Sequence, residues 1–166
     1  SDKGDYFHDQ YMQSSKRNYD KIKGHGYAKF YSNYFKDLKH KKIEILEIGS
    51  FKGNAVAAMF YYFNDAFLYA ADIFPDLFRY NSKRIKNFYV DSSSEVSIQK
   101  NIINRDIKLD IIIEDASHRF KDQIISLFKL FRILKKNGIF IIEELDFPDT
   151  RLDMNLKNEK PTLRTI

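Results

Sequence analysis

From Ile43 to Glu144 the chain alternates between short apolar runs and segments whose apolar residues recur at helical spacing. The runs Ile43 to Glu47, Phe67 to Asp72, Asn87 to Val90, Leu109 to Glu114 and Ile139 to Glu143 predict strands. The spacing predicts helices over Asn54 to Phe63, Ser94 to Asn104 and Phe120 to Leu134, with a turn-rich connection beginning at Pro75. Ile111-Ile112-Ile113 and Ile139-Phe140-Ile141-Ile142 are apolar without alternation, as central parallel strands are expected to be. Such strands separated by helices make a parallel α/β sheet. Lys135-Lys136-Asn137-Gly138 reads as the end of the long helix, with cations at its negative pole and a glycine stop. Ahead of the first strand, Tyr27, Tyr31, Tyr34, Phe35 and Leu38 follow helical spacing, so residues 1–41 are expected to supply a lead-in helix packed on the sheet.

Composition narrows the class. A chain of 166 residues with 43% hydrophobic residues makes one domain with a core of its own. That domain divides into the lead-in 1–41, a core 42–145 and a charged tail 146–166 that reads as a truncated remainder. There is no cysteine, so any metal must be held by oxygen or imidazole ligands, which favours a hard cation. The apolar runs are far shorter than the roughly 20 residues needed to cross a bilayer, and Ser1-Asp2-Lys3-Gly4-Asp5 is unlike a secretory signal. A soluble cytoplasmic protein is expected, with no membrane partner. The net charge of +5 raises the question of an anionic partner. Its lysines are scattered, however, and most Tyr and Phe residues fall at core positions, so nucleic acid is disfavoured. Formation of a homo-oligomer stays open.

Candidate chemistry sits at the carboxyl ends of the strands, where open parallel sheets bind ligands at the point of strand-order reversal. Glu47-Ile48-Gly49-Ser50-Phe51-Lys52-Gly53 runs from a strand through a glycine turn into a helix, and its glycines let a ligand approach the backbone. Asp72 ends the second strand about twenty residues further on, where a ribose-binding acid is expected. A dinucleotide reading follows from that spacing. Against it, the turn lacks the Gly-x-Gly-x-x-Gly series that offers a helix amino end to a pyrophosphate, and a ligand without phosphates suits the loop better. Asp91, in Asp91-Ser92-Ser93, can cap a helix or lie against a ligand's base, and both readings stay open. Asp115 and the pair Glu143-Glu144 end the fourth and fifth strands, with His118 three residues after Asp115.

The motif from Glu47 to Gly53, with Ala71-Asp72-Ile73 and Asp91-Ser92-Ser93, resembles the class I S-adenosylmethionine-dependent methyltransferases. The resemblance implies a Rossmann-like doubly wound sheet of strand order 3-2-1-4-5, here lacking the last strands. It implies that Glu47, Gly49, Ser50 and Gly53 hold the methionine part of the cofactor, Asp72 and Ile73 the ribose side, and Asp91 and Ser92 the adenine, with Asp115 also beside the cofactor. Asp110-Ile-Ile-Ile-Glu114-Asp115-Ala-Ser-His118 followed by Ile139-Phe-Ile-Ile-Glu143-Glu144-Leu145 is similar, more narrowly, to the metal-dependent sugar O-methyltransferases of macrolide tailoring, of the mycinamicin and tylosin type. Ser1-Asp2-Lys3-Gly4, His25 and Tyr27 resemble the lead-in of that group. By position, Asp115, Glu143 and Glu144 would then hold magnesium and His118 would be the catalytic base, with His25 the next candidate.

The chemistry is consistent with those residue types. Methyl transfer from a sulfonium to a sugar hydroxyl needs the hydroxyl deprotonated as it attacks, which a carboxylate-bound cation and a neighbouring imidazole promote. The expected function is a magnesium-dependent O-methyltransferase using S-adenosylmethionine on a sugar or other polyhydroxylated small molecule. The rivals are an NAD-dependent oxidoreductase on the same fold and a non-catalytic basic RNA-binding module.

Overall fold

The computed structural model of the chain describes residues 27–145. Five strands, β1 (Lys42–Ile48), β2 (Asp65–Asp72), β3 (Ile85–Tyr89), β4 (Leu109–Glu114) and β5 (Leu134–Ile142), form one sheet. Its order is β3-β2-β1-β4-β5 and every pairing is parallel, as the sequence implied. β1 is central, and Glu47 pairs with Ala70 on one side and Ile113 on the other. The chain winds outward from β1 to β3, then returns to β4, so the crevice of reversed strand order lies between β1 and β4.

Helices cover both faces because alternate strand residues point to opposite sides. Ile43 and Ile45 of β1 pack with Ile111 and Ile113 against α1 (Tyr27–Phe35) and α2 (Asn54–Tyr62), through Tyr31, Phe35, Val56 and Met59. Leu46 and Ile48 pack with Ile112 on the other face, against α3 (Glu95–Asn101) and α4 (Phe120–Leu130), through Ile98 and Leu130. Fully burying each such aliphatic side chain contributes about 1.5–3 kcal/mol. The lead-in helix is therefore a layer of the core, although Tyr34 on it is exposed.

The helix expected from Phe120 to Leu134 stops at Leu130, and a 3-10 turn over Phe131–Ile133 leads into β5. Lys135-Lys136-Asn137-Gly138 is therefore not a helix stop. Strand pairing jumps from Leu109 with Leu134 to Ile111 with Ile139, so the four residues bulge out of β5 beside Asp110. Lys135 Nζ donates to Asp110 Oδ2 at 2.8 Å, and Asn137 takes a left-handed φ of 64°. The expected helix from Ser94 to Asn104 likewise ends at Asn101, before a second 3-10 turn over Ile103–Arg105. His25 and the segments 1–26 and 146–166 lie outside the described residues. Among the described residues no helix is long and apolar enough to cross a membrane.

Candidate active site

Backbone hydrogen bonds bring the carboxyl ends of the strands together. Asp115 N–H donates to Ile48 O at 2.9 Å, Glu143 N–H to Glu114 O at 2.9 Å, and Val90 N–H to Asp72 O at 2.9 Å. The loops that follow turn sharply. Gly49, Phe51, Gly53, His118 and Glu144 all have positive φ, leaving only Asp106 and Asn137 to do so elsewhere among the described residues. For residues with side chains this backbone costs on the order of 1 kcal/mol or more, and such strain gathers at functional sites.

A cleft of about 550 Å³ opens across these ends. Gly49, Asp72, Ile73, Asp91, Ser92 and Asp115, six of the residues expected to hold cofactor, line it together with His118. Glu47 and Ser50 are buried behind the wall rather than in it, and Gly53 starts α2 next to it. Gly49 cannot be replaced without cost, because a Cβ there would stand 2.0 Å from the Asp115 carbonyl oxygen. At Gly53 a Cβ would stand 2.3 Å from the Phe78 ring.

Asp72 fastens two loops. Its Oδ2 accepts the Phe51 amide at 2.7 Å and its Oδ1 the Phe74 amide at 2.8 Å. A carboxylate offers about four acceptor sites, so further bonds remain available to a ligand hydroxyl. Asp91 is not a helix cap. Its Oδ1 accepts from the amide and hydroxyl of Ser93 at 2.9 and 2.7 Å, while Ser94 caps α3 by accepting from Ser97 N–H.

Next to the cleft lies a cluster of acids. Burial, then the negative charges of Glu143, Glu47, Glu114 and Glu144, push the Asp115 carboxyl up to about 9. Burial, then Glu143 and Asp72, push Glu47 up to about 8, and its Oε2 has no hydrogen-bond partner among the described residues. Glu114 rises to about 7 by burial, opposed by the nearby Ala116 amide and reinforced by Asp122 and Glu143. His118 Nε2 lies 3.8 Å from Asp115 Oδ1. The hydroxyl of Tyr31 donates to Glu143 Oε1, and that of Tyr27 to Glu144 Oε1 at 2.9 Å.

Glu143 and Glu144 stand off the cleft wall, and no three acids or histidines among the described residues are drawn into ligating geometry. The chemistry of the set nevertheless fits a hard cation. Asp115 is surrounded by carboxylates whose mutual repulsion a divalent ion would relieve.

Sequence reasoning missed several residues of this region. Val90, Arg119 and Asp122 line the cleft, alongside Phe51, Ser93 and Ser117, which fall within motifs read from the sequence but were given no role there. Ser117 donates to Asp122 at 2.6 Å. Tyr27 and Tyr31 were legible as a helical face, and a buried tyrosine hydroxyl usually has a partner. Nothing in their spacing pointed to the acids.

No family model matches the chain. The 8-demethyl-8-alpha-L-rhamnosyl tetracenomycin-C 2'-O-methyltransferase of Streptomyces olivaceus is 25% identical over 128 residues, covering 73% of this chain. The chain spans about a third of that relative's length, 33%. Among solved structures, the MycE methyltransferase of the mycinamycin pathway in complex with Mg and SAH superposes with a TM-score of 0.69 at 22% identity, over 89% of this chain and 39% of that one. The SAH-bound methyltransferase PaMTH1 of Podospora anserina gives a TM-score of 0.54 at 17% identity, over 90% and 64% of the two chains. A short chain dehydrogenase family protein of Francisella tularensis shares the fold at a TM-score of 0.50 and 15% identity, over 74% and 56%. The chain has a Rossmann-like methyltransferase fold and resembles the class I S-adenosylmethionine-dependent methyltransferases of the macrolide sugar O-methyltransferase kind.

Proposed function

We propose that this chain is the cofactor-binding part of a magnesium-dependent O-methyltransferase that moves a methyl group from S-adenosylmethionine to a hydroxyl of a sugar-containing small molecule. One observation carries the reading: a cleft at the strand-order reversal runs from Asp72 and Asp91 at one side to Asp115 and His118 at the other. The relative named for a rhamnosyl 2'-O position supports a sugar hydroxyl as acceptor. The MycE complexes with Mg and SAH support the cofactor and the metal.

In this reading Asp72 accepts from the ribose hydroxyls, and Gly49 lets the cofactor approach the backbone, there being no side chain to hold it off. His118 takes the proton of the acceptor hydroxyl as its oxygen attacks the methyl carbon. The carbon–sulfur bond breaks with its electron pair passing to sulfur, leaving a methyl ether, S-adenosylhomocysteine and a protonated imidazole. His118 Nε2 stands 3.8 Å from Asp115 Oδ1, and the positive charge it gains would favour the ionised form of that carboxyl. Asp115, Glu143 and Glu144 would hold magnesium, which supplies a lowered pKa to the acceptor hydroxyl.

The fold is shared with a dehydrogenase, so the fold alone does not separate methyl transfer from hydride transfer. The acids do. Asp72, Asp91, Asp115 and Asp122 face the cleft, where a pyrophosphate would be repelled, and an RNA backbone equally. Titration calorimetry of the protein with S-adenosylhomocysteine and with NAD tests this. Binding of the first and not the second is expected, and NAD binding without S-adenosylhomocysteine binding would overturn the reading.

A further inference from the structure

Asp122 is the third residue of α4, lines the cleft and is only 5% exposed. A carboxylate so deeply buried needs donors around both of its oxygens. The Ser117 hydroxyl donates to Oδ2 at 2.6 Å, and Ser117 Oγ in turn accepts the Arg119 amide at 3.2 Å. This chain of bonds fixes the rotation of the carboxylate and leaves Oδ1 without a donor among the described residues. No lysine or arginine of those residues pairs with Asp122 either. A place in the first turn of a helix accounts for a negative charge. It does not account for burying that charge on the wall of a ligand cleft with one oxygen unused.

The position selects the donor. α3 and α4 pack on the same face of the sheet, and Lys129 of α4 pairs with Glu95 of α3 at 2.7 Å. The segments that lead into them, Asp91-Ser92-Ser93 and Ser117 to Asp122, therefore border the same side of the cleft. In the methyltransferase reading that side takes the adenine, whose exocyclic amine is an uncharged donor, while the ribose hydroxyls fall to Asp72 at the end of β2.

We propose that Asp122 is a specificity-determining residue for the base of the cofactor: its Oδ1 accepts from the exocyclic amine of adenine, and it selects against a purine that carries an oxygen there. The proposal rests on the methyltransferase reading above and names the group that reads the base. A wall built around an acceptor rejects an analogue that brings a second acceptor, because two sets of lone pairs then meet with no proton between them.

The test compares S-adenosylhomocysteine with S-inosylhomocysteine, the same molecule with the amine of the base replaced by a carbonyl oxygen, by calorimetry on the whole protein. Wild type is expected to bind the adenosyl compound roughly 10–100-fold more tightly. Asp122→Asn keeps the shape of the side chain. With its oxygen accepting from Ser117, its amide nitrogen turns to the cleft as a donor. That variant should bind S-adenosylhomocysteine roughly 10–100-fold more weakly and S-inosylhomocysteine more tightly than wild type does, so that the preference is lost or reversed. If the variant loses both ligands equally, or keeps the wild-type ratio, Asp122 does not read the base and the inference falls while the methyltransferase reading stands. Wild type that binds the two compounds equally overturns the inference alone. Wild type that binds neither removes the underlying reading as well. If Asp122→Asn does not fold, Ser117→Ala decides, since it keeps the carboxylate and deletes the bond that holds it. Its preference for the adenosyl compound should fall, and a preference equal to that of wild type overturns the inference.

Discussion

Gly49 and Asp115 touch across the strand-order reversal so closely that a single added methyl group on Gly49 would stand 2.0 Å from the Asp115 carbonyl oxygen. The contact locks the loop after β1 onto the end of β4, where the Asp115 amide also bonds to Ile48 at 2.9 Å. Gly49→Ala must adopt a φ near +90°, a left-handed backbone that costs about 1–2 kcal/mol before the collision is relieved. At about 2–4 °C per kcal/mol for a chain of this size, thermal unfolding should shift down by several degrees, and S-adenosylhomocysteine binding should be lost in the same variant. A variant with wild-type melting and affinity would show that the two loops are not in this contact.

Asp72 ties the same loop to its own through two amides, and a ligand hydroxyl would be its third partner. Asp72→Ala should weaken S-adenosylhomocysteine by about 1–3 kcal/mol, through the lost charge-assisted bond and the released loops. Asp72→Asn separates the two contributions, since its amide nitrogen cannot accept from Phe51 or Phe74. Calorimetry giving wild-type affinity for both variants would remove Asp72 from the cofactor site.

The parallel sheet was legible because Ile111-Ile112-Ile113 carry their burial on both faces in the sequence itself. Ile139-Phe140-Ile141-Ile142 read in the same way but form the half-buried edge strand β5, and the strand order was implied only by the family resemblance. Asp72, Asp115 and His118 were legible because a strand's end determines where its last residue stands. Lys135-Lys136-Asn137-Gly138 was not. A polar quartet ending in glycine looks the same as a helix stop or as a bulge, and what decides is Asp110 on the neighbouring strand. Glu47 sits at a strand end as expected, yet its alternate-face position turns it into the layer under α1, where it is buried. The partners of Tyr27 and Tyr31 lie 117 and 112 residues away, a separation that no local pattern reports.

The buried acids give stability a definite pH dependence. Glu47 has an ordinary value of 4.5 and rises to about 8 on folding, so between those values the folded chain keeps a proton that the unfolded chain releases. Stability should therefore be greatest below about pH 4.5 as far as this group is concerned, and fall as pH rises toward 8. With other groups titrating as well, the readable signature is the difference made by Glu47→Gln. In chelator, that variant should lose less melting temperature between pH 5 and pH 8 than wild type does. Parallel melting curves for the two proteins would mean that Glu47 is not held protonated by burial.

Asp115 and Glu143 repel each other in the same cluster, and a bound divalent cation would turn that repulsion into ligation. Exhaustive chelation should abolish formation of S-adenosylhomocysteine from S-adenosylmethionine in the presence of a glycoside acceptor, and added magnesium should restore it. Asp115→Asn or Glu143→Gln should do the same without rescue, with S-adenosylhomocysteine binding retained in Glu143→Gln. Turnover that persists through chelation would assign the reaction to His118 and the cofactor alone.

His118 lies at the cleft wall with a left-handed φ of 56° and its Nε2 is 3.8 Å from Asp115 Oδ1. A backbone of that kind is retained where the placement of the side chain matters more than the strain. In the proposed role of general base it must be neutral when the acceptor hydroxyl attacks, so the rate should rise with pH and then level off. His118→Gln or His118→Ala should lower kcat by roughly 10²–10⁴ with cofactor affinity almost unchanged, the usual contribution of a positioned base. His118→Ala also removes a side chain that stands 3.8 Å from Asp115 Oδ1, so melting should be measured beside the rate. If melting drops while the rate per folded molecule and its pH profile stay as in wild type, His118 serves only to hold Asp115, and the proton leaves by another route.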